Sequence, residues 1–492
     1  MKVYFLNPPF VPRYSRSSRW AARCRGGALY YPIWLAYAAG VLEEEGHKIR
    51  LADAPAWGWD VEAVSEDARK FKPEVIISEC NFQSLTNDLE VLNKIKIESG
   101  ATSVVVGPPT SQFPERILES GADIVTRFEY DFTIRDIADA LENGKSLENV
   151  RGISFEKKGK EEEGGKIVRT PDRELLKSSE LDSIPFVSKT YKKYLNLEDY
   201  FLGHTLAPMV QIFTSRGCPN LCTFCSWPST LMGRKYRARS SENVVDELEY
   251  ISTELPEVRE IFIEDDTFTA DKKRILDVCN GIRERGLDIT WSCNARANLD
   301  YESMKAMKVA GCRLLDVGYE SGNDQILKNM KKRITTAESR QFTKDAKKAG
   351  LMILADFILG MPGETKATAE QTIRFAKEIK PNIVQFSVAT PIPGTEFHDI
   401  ASKNGYLLVD DIEKSLDSEG FQKCIISYPD FTKEDIEYYV DKALKGYYLT
   451  PAYVPVAFSN IMRKDGVHEL KNMATSAKGF FKYLGRDKEP NV

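Results

Sequence analysis

The chain of 492 residues has no run approaching the ~18 consecutive apolar residues that a membrane-crossing helix requires. Its best candidates, YYPIWLAYAAGVL and YYLTPAYVPVAF, are short or interrupted by proline, so a spanning segment is not expected. It has no basic excess either. Against 73 acids stand 68 lysines and arginines, a formal net charge of -5, which argues against nucleic acid as a partner. Histidine is scarce, at four residues, and the nine cysteines are odd in number and mostly scattered. The chain begins MKVYFLNPPF, without a basic segment and apolar leader, and the expectation is a reducing, cytoplasmic compartment rather than a disulfide framework. No internal repeat or low-complexity tract is present, which excludes a solenoid. What remains, 42% hydrophobic and 29% charged, is the composition of an enzyme-sized protein of two or three domains.

Two stretches of strand-helix alternation organise it. In residues 1–150, KVYFLN, IRLAD, EVIIS, SVVVG and DIVT read as strands separated by amphipathic segments such as WLAYAAGVLEEEG, the pattern of a doubly wound parallel sheet. Ligands bind such sheets at the carboxyl ends of strands, here at Asn7-Pro8-Pro9, Ser78 and Gly107-Pro108-Pro109. Residues 151–207 read as a linker, within which the charged, glycine-bearing stretch KKGKEEEGGKIVRTPDR at 157–173 reads as a solvated hairpin or linker. From 208 to 405 the candidates MVQIFT, EIFIED, ITWSC, CRLLDVG, MILADFIL and IVQFSVA alternate with helical segments, predicting a partial (β/α)6 barrel with its chemistry at the carboxyl ends of the strands. Residues 406–492 read as a helical region. The fold class is therefore α/β: an N-terminal doubly wound sheet, a partial barrel and C-terminal helices.

Directly after the first barrel strand, SRGCPNLCTFCSWP places Cys218, Cys222 and Cys225 within eight positions. Structural zinc needs four ligands, and a fourth is hard to find: His204 lies before the strand and Cys279 lies in a helical pattern more than fifty residues on. A disulfide would use two thiols and strand one. An iron–sulfur cube accepts three thiolates and leaves one iron open to substrate or cofactor.

The CxxxCxxC spacing after a barrel strand, with Phe224 before the last cysteine, resembles the motif of the radical S-adenosylmethionine (SAM) enzymes. The resemblance implies a [4Fe-4S] cluster held by Cys218, Cys222 and Cys225. SAM chelates the open iron, and one electron cleaves it to methionine and a 5′-deoxyadenosyl radical. It also assigns roles to other strand ends. FIEDDTFT offers Glu264, Asp265 and Asp266 to the SAM amino group, although an acidic turn facing water has the same composition. SCNARAN offers Asn294 and Arg296, an arginine being able to fork onto a carboxylate. Glu320 and Ser321 in VGYESGN stand where a ribose is held, and Ile358 and Gly360 in FILGMPGET where adenine is contacted, with core packing the other reading for Ile358. Gln385 and Ser387 in QFSVATPIPGT are substrate candidates.

A sheet preceding such a barrel resembles the cobalamin-binding class of these enzymes and implies cobalamin, although the Asp-x-His-x-x-Gly segment that ligates cobalt in the mutases is absent and His47 is the only histidine in that domain. The wording of YYPIWLAYAAG, EDDTFT, WSCNARAN and RLLDVGYESGN is similar to the hopanoid-biosynthesis subfamily that makes cyclitol-ether head groups, and to archaeal calditol synthesis. That implies ring contraction of a lipid-linked sugar. Related activities are cobalamin-dependent C-methylation and the anaerobic Mg-protoporphyrin ester cyclase; a reading from another class is a noncatalytic iron–sulfur or cobalamin-binding regulator. The expected partners are a lipid-linked or other hydrophobic small molecule and a one-electron reductant such as ferredoxin or flavodoxin. The tail, with Arg463, Lys464, Lys478, Lys482 and Arg486 among aromatic and aliphatic residues, reads either as a cover over the barrel or as a peripheral contact with a membrane surface.

Overall fold

The protein is seen in a computed structural model that describes residues 1–157, 166–463 and 466–484, with side chains up to Gly479. Seven strands form the first sheet: β1 (Lys2–Asn7), β2 (Lys48–Asp53), β3 (Val75–Glu79), β4 (Thr102–Val106), β5 (Ile124–Thr126), β6 (Ile153–Lys157) and β7 (Lys166–Arg169), in the order β2-β1-β3-β4-β5-β6-β7. The first five are parallel. Because β2 and β3 lie on opposite sides of β1, the winding reverses between β1 and β3 and opens a crevice at their carboxyl ends. Helices α1 (Ile33–Glu44) and α4 (Asp131–Glu142) pack on one face, α2 (Val61–Phe71) and α3 (Leu85–Ser99) on the other.

Two expectations change here. The sheet does not stop at residue 150: β6 pairs antiparallel with β5, and β7 with β6, so the stretch expected as linker begins as sheet. Ile153, Ser154 and Phe155 are buried against β5 just before the charged stretch, whose hairpin reading agrees with β7 pairing back on β6. Residues 158–165 of the same stretch lie outside the described residues. Nor is α1 amphipathic. Ile33 to Leu42 are all buried, the signature of a helix enclosed on every side, because α1 is shared between the two domains. Gly40 lets it approach α5 (Val187–Tyr194), since a Cβ there would lie 2.9 Å from Thr190 Oγ1. One turn earlier the Tyr37 hydroxyl accepts from Phe213 N–H at 2.9 Å, at the end of the first barrel strand.

That barrel comprises β8 (Met209–Ile212), β11 (Glu260–Ile263), β12 (Trp291–Ala295), β13 (Cys312–Glu320), β14 (Met352–Leu359) and β15 (Ile383–Val388), all parallel in the order β15-β14-β13-β12-β11-β8. Between β8 and β11 a two-residue ladder, β9 (Ser215–Arg216) against β10 (Arg237–Ala238), closes the base of the cysteine loop. The outer layer is α6 (Ser241–Glu254), α7 (Lys272–Glu284), α8 (Tyr301–Val309), α9 (Thr336–Lys348) and α10 (Lys366–Ile379). Each begins at a Ser, Asp or Thr whose side chain accepts a first-turn N–H, as Asp271 does from Arg274 and Asp300 from Ser303. The C-terminal region follows with α11 (Lys433–Tyr448), α12 (Val454–Ile461) and α13 (Gly466–Leu484). The Tyr448 hydroxyl bonds both the N–H and the carbonyl of Val384, which terminates the open edge of β15. Among the described residues no helix is long and apolar enough to cross a membrane.

Candidate active site at the facing sheet edges

The cysteine loop hangs from its ladder like a closed purse. Gly217, at φ +80°, makes the turn into it: a Cβ there would stand 2.2 Å from the carbonyl oxygen of Lys235. Both ladder strands are tied to the N-terminal domain. Arg216 forks onto Asp131 at 2.6 and 3.0 Å, and Arg237 shares one nitrogen, Nη1, between both oxygens of Glu129 at 2.7 and 2.9 Å, all four groups buried. Within the loop Cys218, Cys222 and Cys225 are free thiols, and the Asn220 amide donates to Cys218 Sγ at 3.3 Å. Thr223 N–H bonds the carbonyl of Met330, so the turn after β13 supports the loop from the other side. Among the described residues no three His, Cys, Asp or Glu side chains are arranged to hold one metal ion. A lone zinc ion would need ligands converging on one point, whereas a four-iron cube offers its thiolates separate corners. His204 precedes β8, at the opposite end of that strand from the loop, with its ring against Phe262. Cys279 is buried in α7, and Cys293 lies beside Cys312. A three-thiol donor set therefore fits an iron–sulfur cluster and not zinc.

The acidic turn after β11 divides its labour. Asp265 accepts four hydrogen bonds, from the N–H and hydroxyl of Thr214 and of Ser215, at 2.5 to 3.0 Å. It is a bracket that fixes the end of β8, and its carboxylate is fully used, contrary to the expected SAM contact. Glu264 accepts from the Gln211 and Asn294 amides, and burial pushes its carboxyl up to about 7 against the pull of nearby Arg19. Asp266 takes Arg19 on Oδ1 at 2.8 Å, while its buried Oδ2 has no hydrogen-bond partner. A buried carboxylate oxygen without a donor fits an ammonium such as the one SAM carries.

The other predicted residues separate into two groups. Asn294 braces the turn, donating to Glu264 and to the carbonyl of Asp265. Arg296 donates to the carbonyl of Lys332 at 2.6 Å. Glu320, in the left-handed region at φ +67°, pairs with the Lys332 ammonium at 2.6 Å. Ser321 is turned away, buried against Thr372 Oγ1 at 3.2 Å, and so does not reach a ribose. Gly360 is held by Tyr428, whose hydroxyl donates to its carbonyl, and by Ile436, 3.1 Å from where a Cβ would be; packing explains it. Ile358, Gln385 and Ser387 do share an open face. Together with Asp316 and Asp356 they stay partly or fully exposed while the residues between them on β13, β14 and β15 are buried, which makes the inside of the barrel an open cleft. Leu314, Met352 and Leu354 with Ile383 form its apolar floor.

At the carboxyl edge of the first sheet the crevice between β1 and β3 is polar and buried. Arg16 pairs with Asp88 and also donates to Asn7, Asn7 donates to Asp53, and Ser17 donates to Glu79. Burial raises Asp53 to about 6 and Glu79 to about 7. Around them Ser78, Gln83 and Tyr130 keep buried polar atoms without partners, and Gly107 brings the chain so close that a Cβ would sit 2.3 Å from the carbonyl oxygen of Cys80. Unpartnered donors and acceptors around a close backbone approach fit a large polar cofactor at this edge. His47 is far from it, before β2 at the amino edge, with Nδ1 3.1 Å from the N-terminal amine.

Sequence reasoning missed three features of the site. Arg19 crosses from the N-terminal domain to Asp266 and to the carbonyls of Glu264 and Asp265, and lies 4.3 Å over the Trp227 ring. Its signal was five arginines without an acid between residues 13 and 25. Lys332 had none. Asp316 and Asp356 each interrupt an apolar strand, a visible anomaly; though partly open to the cleft, Asp316 is desolvated by the walls around it, and this with the Asp356 carboxylate raises it well above the ordinary range.

Comparison with known proteins agrees with this geometry. The model of the radical SAM superfamily matches residues 212–376 and that of the B12 binding domain residues 22–138. An uncharacterized methyltransferase of Pyrococcus horikoshii is 34% identical over 424 residues, 85% of this chain and 88% of its own. The cytidylyl-2-hydroxyethylphosphonate methyltransferase of Streptomyces wedmorensis is 26% identical, over 81% of this chain and 82% of its own. Among solved structures, the radical SAM methyltransferase TsrM from Kitasatospora setae, with cobalamin and a [4Fe-4S] cluster bound, superposes with a TM-score of 0.72 at 16% identity, covering 98% of this chain and 99% of that one.

Proposed function

Because this chain belongs to the radical SAM enzymes that carry a B12-binding domain, we propose that it transfers a methyl group to an unactivated carbon of a small molecule. The observation that carries the reading is Arg19, which joins the carboxyl edge of the N-terminal sheet directly to the acidic turn of the barrel. Methyl transfer requires the two cofactor edges to act on one substrate, and a shared side chain between them supports that. The relatives named above are methyltransferases, which supports it also. Ring contraction of a lipid sugar head group, expected from the wording of the sequence, receives no such support.

An unactivated C–H bond offers no acidic proton and no electrophile, so side-chain acid-base chemistry cannot open it. When bound, the cluster, SAM and cobalamin supply a one-electron route to that bond and a transferable methyl group. The protein's part is to hold and exclude. Cys218, Cys222 and Cys225 would ligate iron, Asp266 and Glu264 would take the SAM ammonium, and Glu320, already fixed by Lys332, would accept hydroxyl groups. Ser78, Gln83 and Tyr130 would face cobalamin. The substrate would lie over the apolar floor, with Asp316, Asp356, Gln385 and Ser387 as its polar contacts. Ferredoxin or flavodoxin would supply the electron.

The test is anaerobic incubation of the reconstituted protein with SAM, a one-electron donor and an extract from a host lacking the gene, followed by mass spectrometry. Methylation yields 5′-deoxyadenosine, which carries the abstracted hydrogen, together with S-adenosylhomocysteine and a product heavier by one methylene. 5′-Deoxyadenosine without S-adenosylhomocysteine would replace this reading with rearrangement, and neither product would leave a noncatalytic regulator.

A further inference from the structure

The two last helices are built inside out. Their buried residues are polar and serve as pegs into the amino end of the barrel. Asn460 bonds the Asn382 amide at 2.7 Å, Glu469 pairs with Arg313 at 2.5 Å beside Glu260, and Asn472 donates to the carbonyl of Thr205. Their outward residues are large and apolar: Val454 is 65% exposed, Phe458 62%, Met462 69%, Val467 80% and Leu470 52%. Val454 and Phe458 on α12 and Met462 at its end recur every fourth residue, a single stripe, and Val467 and Leu470 are exposed in the first turns of α13. With Leu449, six of the eleven large exposed apolar side chains among the described residues fall within 22 consecutive positions, whereas the remainder are scattered singly. Such clustering marks a contact surface.

Charge identifies the partner. In this chain of net charge -5, residues 449–484 carry five lysines and arginines against two acids, and one of those acids, Glu469, is buried in its pair with Arg313. Lys471 and Lys478 lie on the exposed side of α13 beside Leu470 and Ala474. Arg463, by contrast, is turned inward to the carbonyl of Gly350; Lys464 and Arg486 lie outside the described residues, as does the side chain of Lys482. Apolar side chains flanked by lysines, on helices lying flat against their own protein, are the composition that rests in the headgroup layer of an anionic bilayer.

We propose that the α12–α13 face docks this protein on an anionic lipid surface, as a peripheral contact in which the stripe enters the acyl boundary and Lys471 and Lys478 meet lipid phosphates. The proposal is independent of the reaction. It also fixes an orientation: the docked face is at the amino end of the barrel strands, so the cleft opens away from the bilayer.

The test is cosedimentation of the reconstituted full chain with vesicles of phosphatidylcholine alone or mixed with phosphatidylglycerol. The full chain should pellet with the mixed vesicles, and added salt should weaken the binding. Phe458→Ser with Leu470→Ser should reduce partitioning by about tenfold or more, since two large apolar side chains are withdrawn. Lys471→Glu with Lys478→Glu should abolish the preference for the anionic lipid. All four positions are exposed, so the variants should retain their secondary structure and cluster absorption. Absence of vesicle binding by the unaltered chain overturns the proposal, as does equal partitioning of all variants. Concentration-dependent self-association lost in Phe458→Ser with Leu470→Ser, without vesicle binding, would assign the face to a second copy instead.

Discussion

Replacing Asp265 tests whether the acidic turn is read correctly. The sequence suggested three equivalent carboxylates facing a ligand, whereas the structure makes Asp265 the bracket between β11 and the end of β8. Asp265→Ala removes four hydrogen bonds to a buried carboxylate. The Thr214 and Ser215 hydroxyls can rotate toward other acceptors, but the two backbone N–H groups cannot, and each buried unsatisfied donor costs about 1–3 kcal/mol. With the loss of the charge-assisted bonds themselves, destabilisation of about 3–6 kcal/mol is expected, a large fraction of a typical domain's stability. Asp265→Asn, which keeps the shape and one acceptor oxygen, should lose about half as much. The assay is urea unfolding of the apoprotein followed by circular dichroism, with iron content after reconstitution as a second readout, because Ser215 begins the ladder from which the cysteine loop hangs. Asp266→Asn, which keeps an acceptor for Arg19 but loses the charge of that pair, should cost less stability than Asp265→Ala and weaken SAM retention in equilibrium dialysis. An Asp265→Ala protein as stable as the parent, with full iron and reduced SAM binding, would refute the bracket and restore the ligand role.

Cys222→Ala should abolish the ~400 nm absorption of a thiolate-bound iron–sulfur cluster while the protein stays folded, and a full cluster in that variant would remove the metal assignment. Glu79 gives a pH prediction. Its carboxyl, ordinarily at 4.5, is raised to about 7 by burial and by Asp53 and Asp88, against the opposing Arg16 and the Ser17 hydroxyl. The folded state then keeps a proton that the unfolded chain releases, so this group lowers stability as pH rises from 4.5 to about 7, by roughly 3 kcal/mol in full. Glu79→Gln should match the parent at pH 5 and exceed it at pH 8 in urea midpoints; an unchanged pH slope would contradict the assignment. His47→Ala should leave the visible spectrum of cobalamin in the reconstituted protein unaltered, because that ring lies at the amino edge of the sheet. A shifted spectrum would place it at the cobalt.

What was legible in the sequence follows from what is local. The strands of both sheets are runs of β-branched and aliphatic residues, and their alternation with helices could be read because each βα unit carries its own period. The cysteine loop was legible because its spacing is a chemical requirement expressed within eight residues. The roles of Asp265, Ser321 and Gly360 were not, because whether a side chain faces ligand or neighbour depends on partners such as Thr214, Thr372 and Ile436, brought there by packing alone. Arg19 escaped for the same reason, since nearly 250 residues separate it from the carboxylate it meets. The β6–β7 hairpin was legible in its charge and glycines, but the first domain was ended too early because Ile153, Ser154 and Phe155 make only a short apolar run before it.

The two arginines that frame the cysteine loop have a consequence for how this molecule can be assembled and divided. Arg216 and Arg237 find their carboxylates, Asp131 and Glu129, at the start of α4 in the other domain. Severing the chain between its domains would strand two buried cations at the loop's hinges and leave two acids uncovered, a far greater loss than any surface pair. The barrel is therefore not a module that can be lifted out with its metal site intact. During synthesis the first sheet emerges before the loop does, so the loop's two hinges are complete only once residues 216–237 reach Asp131 and Glu129.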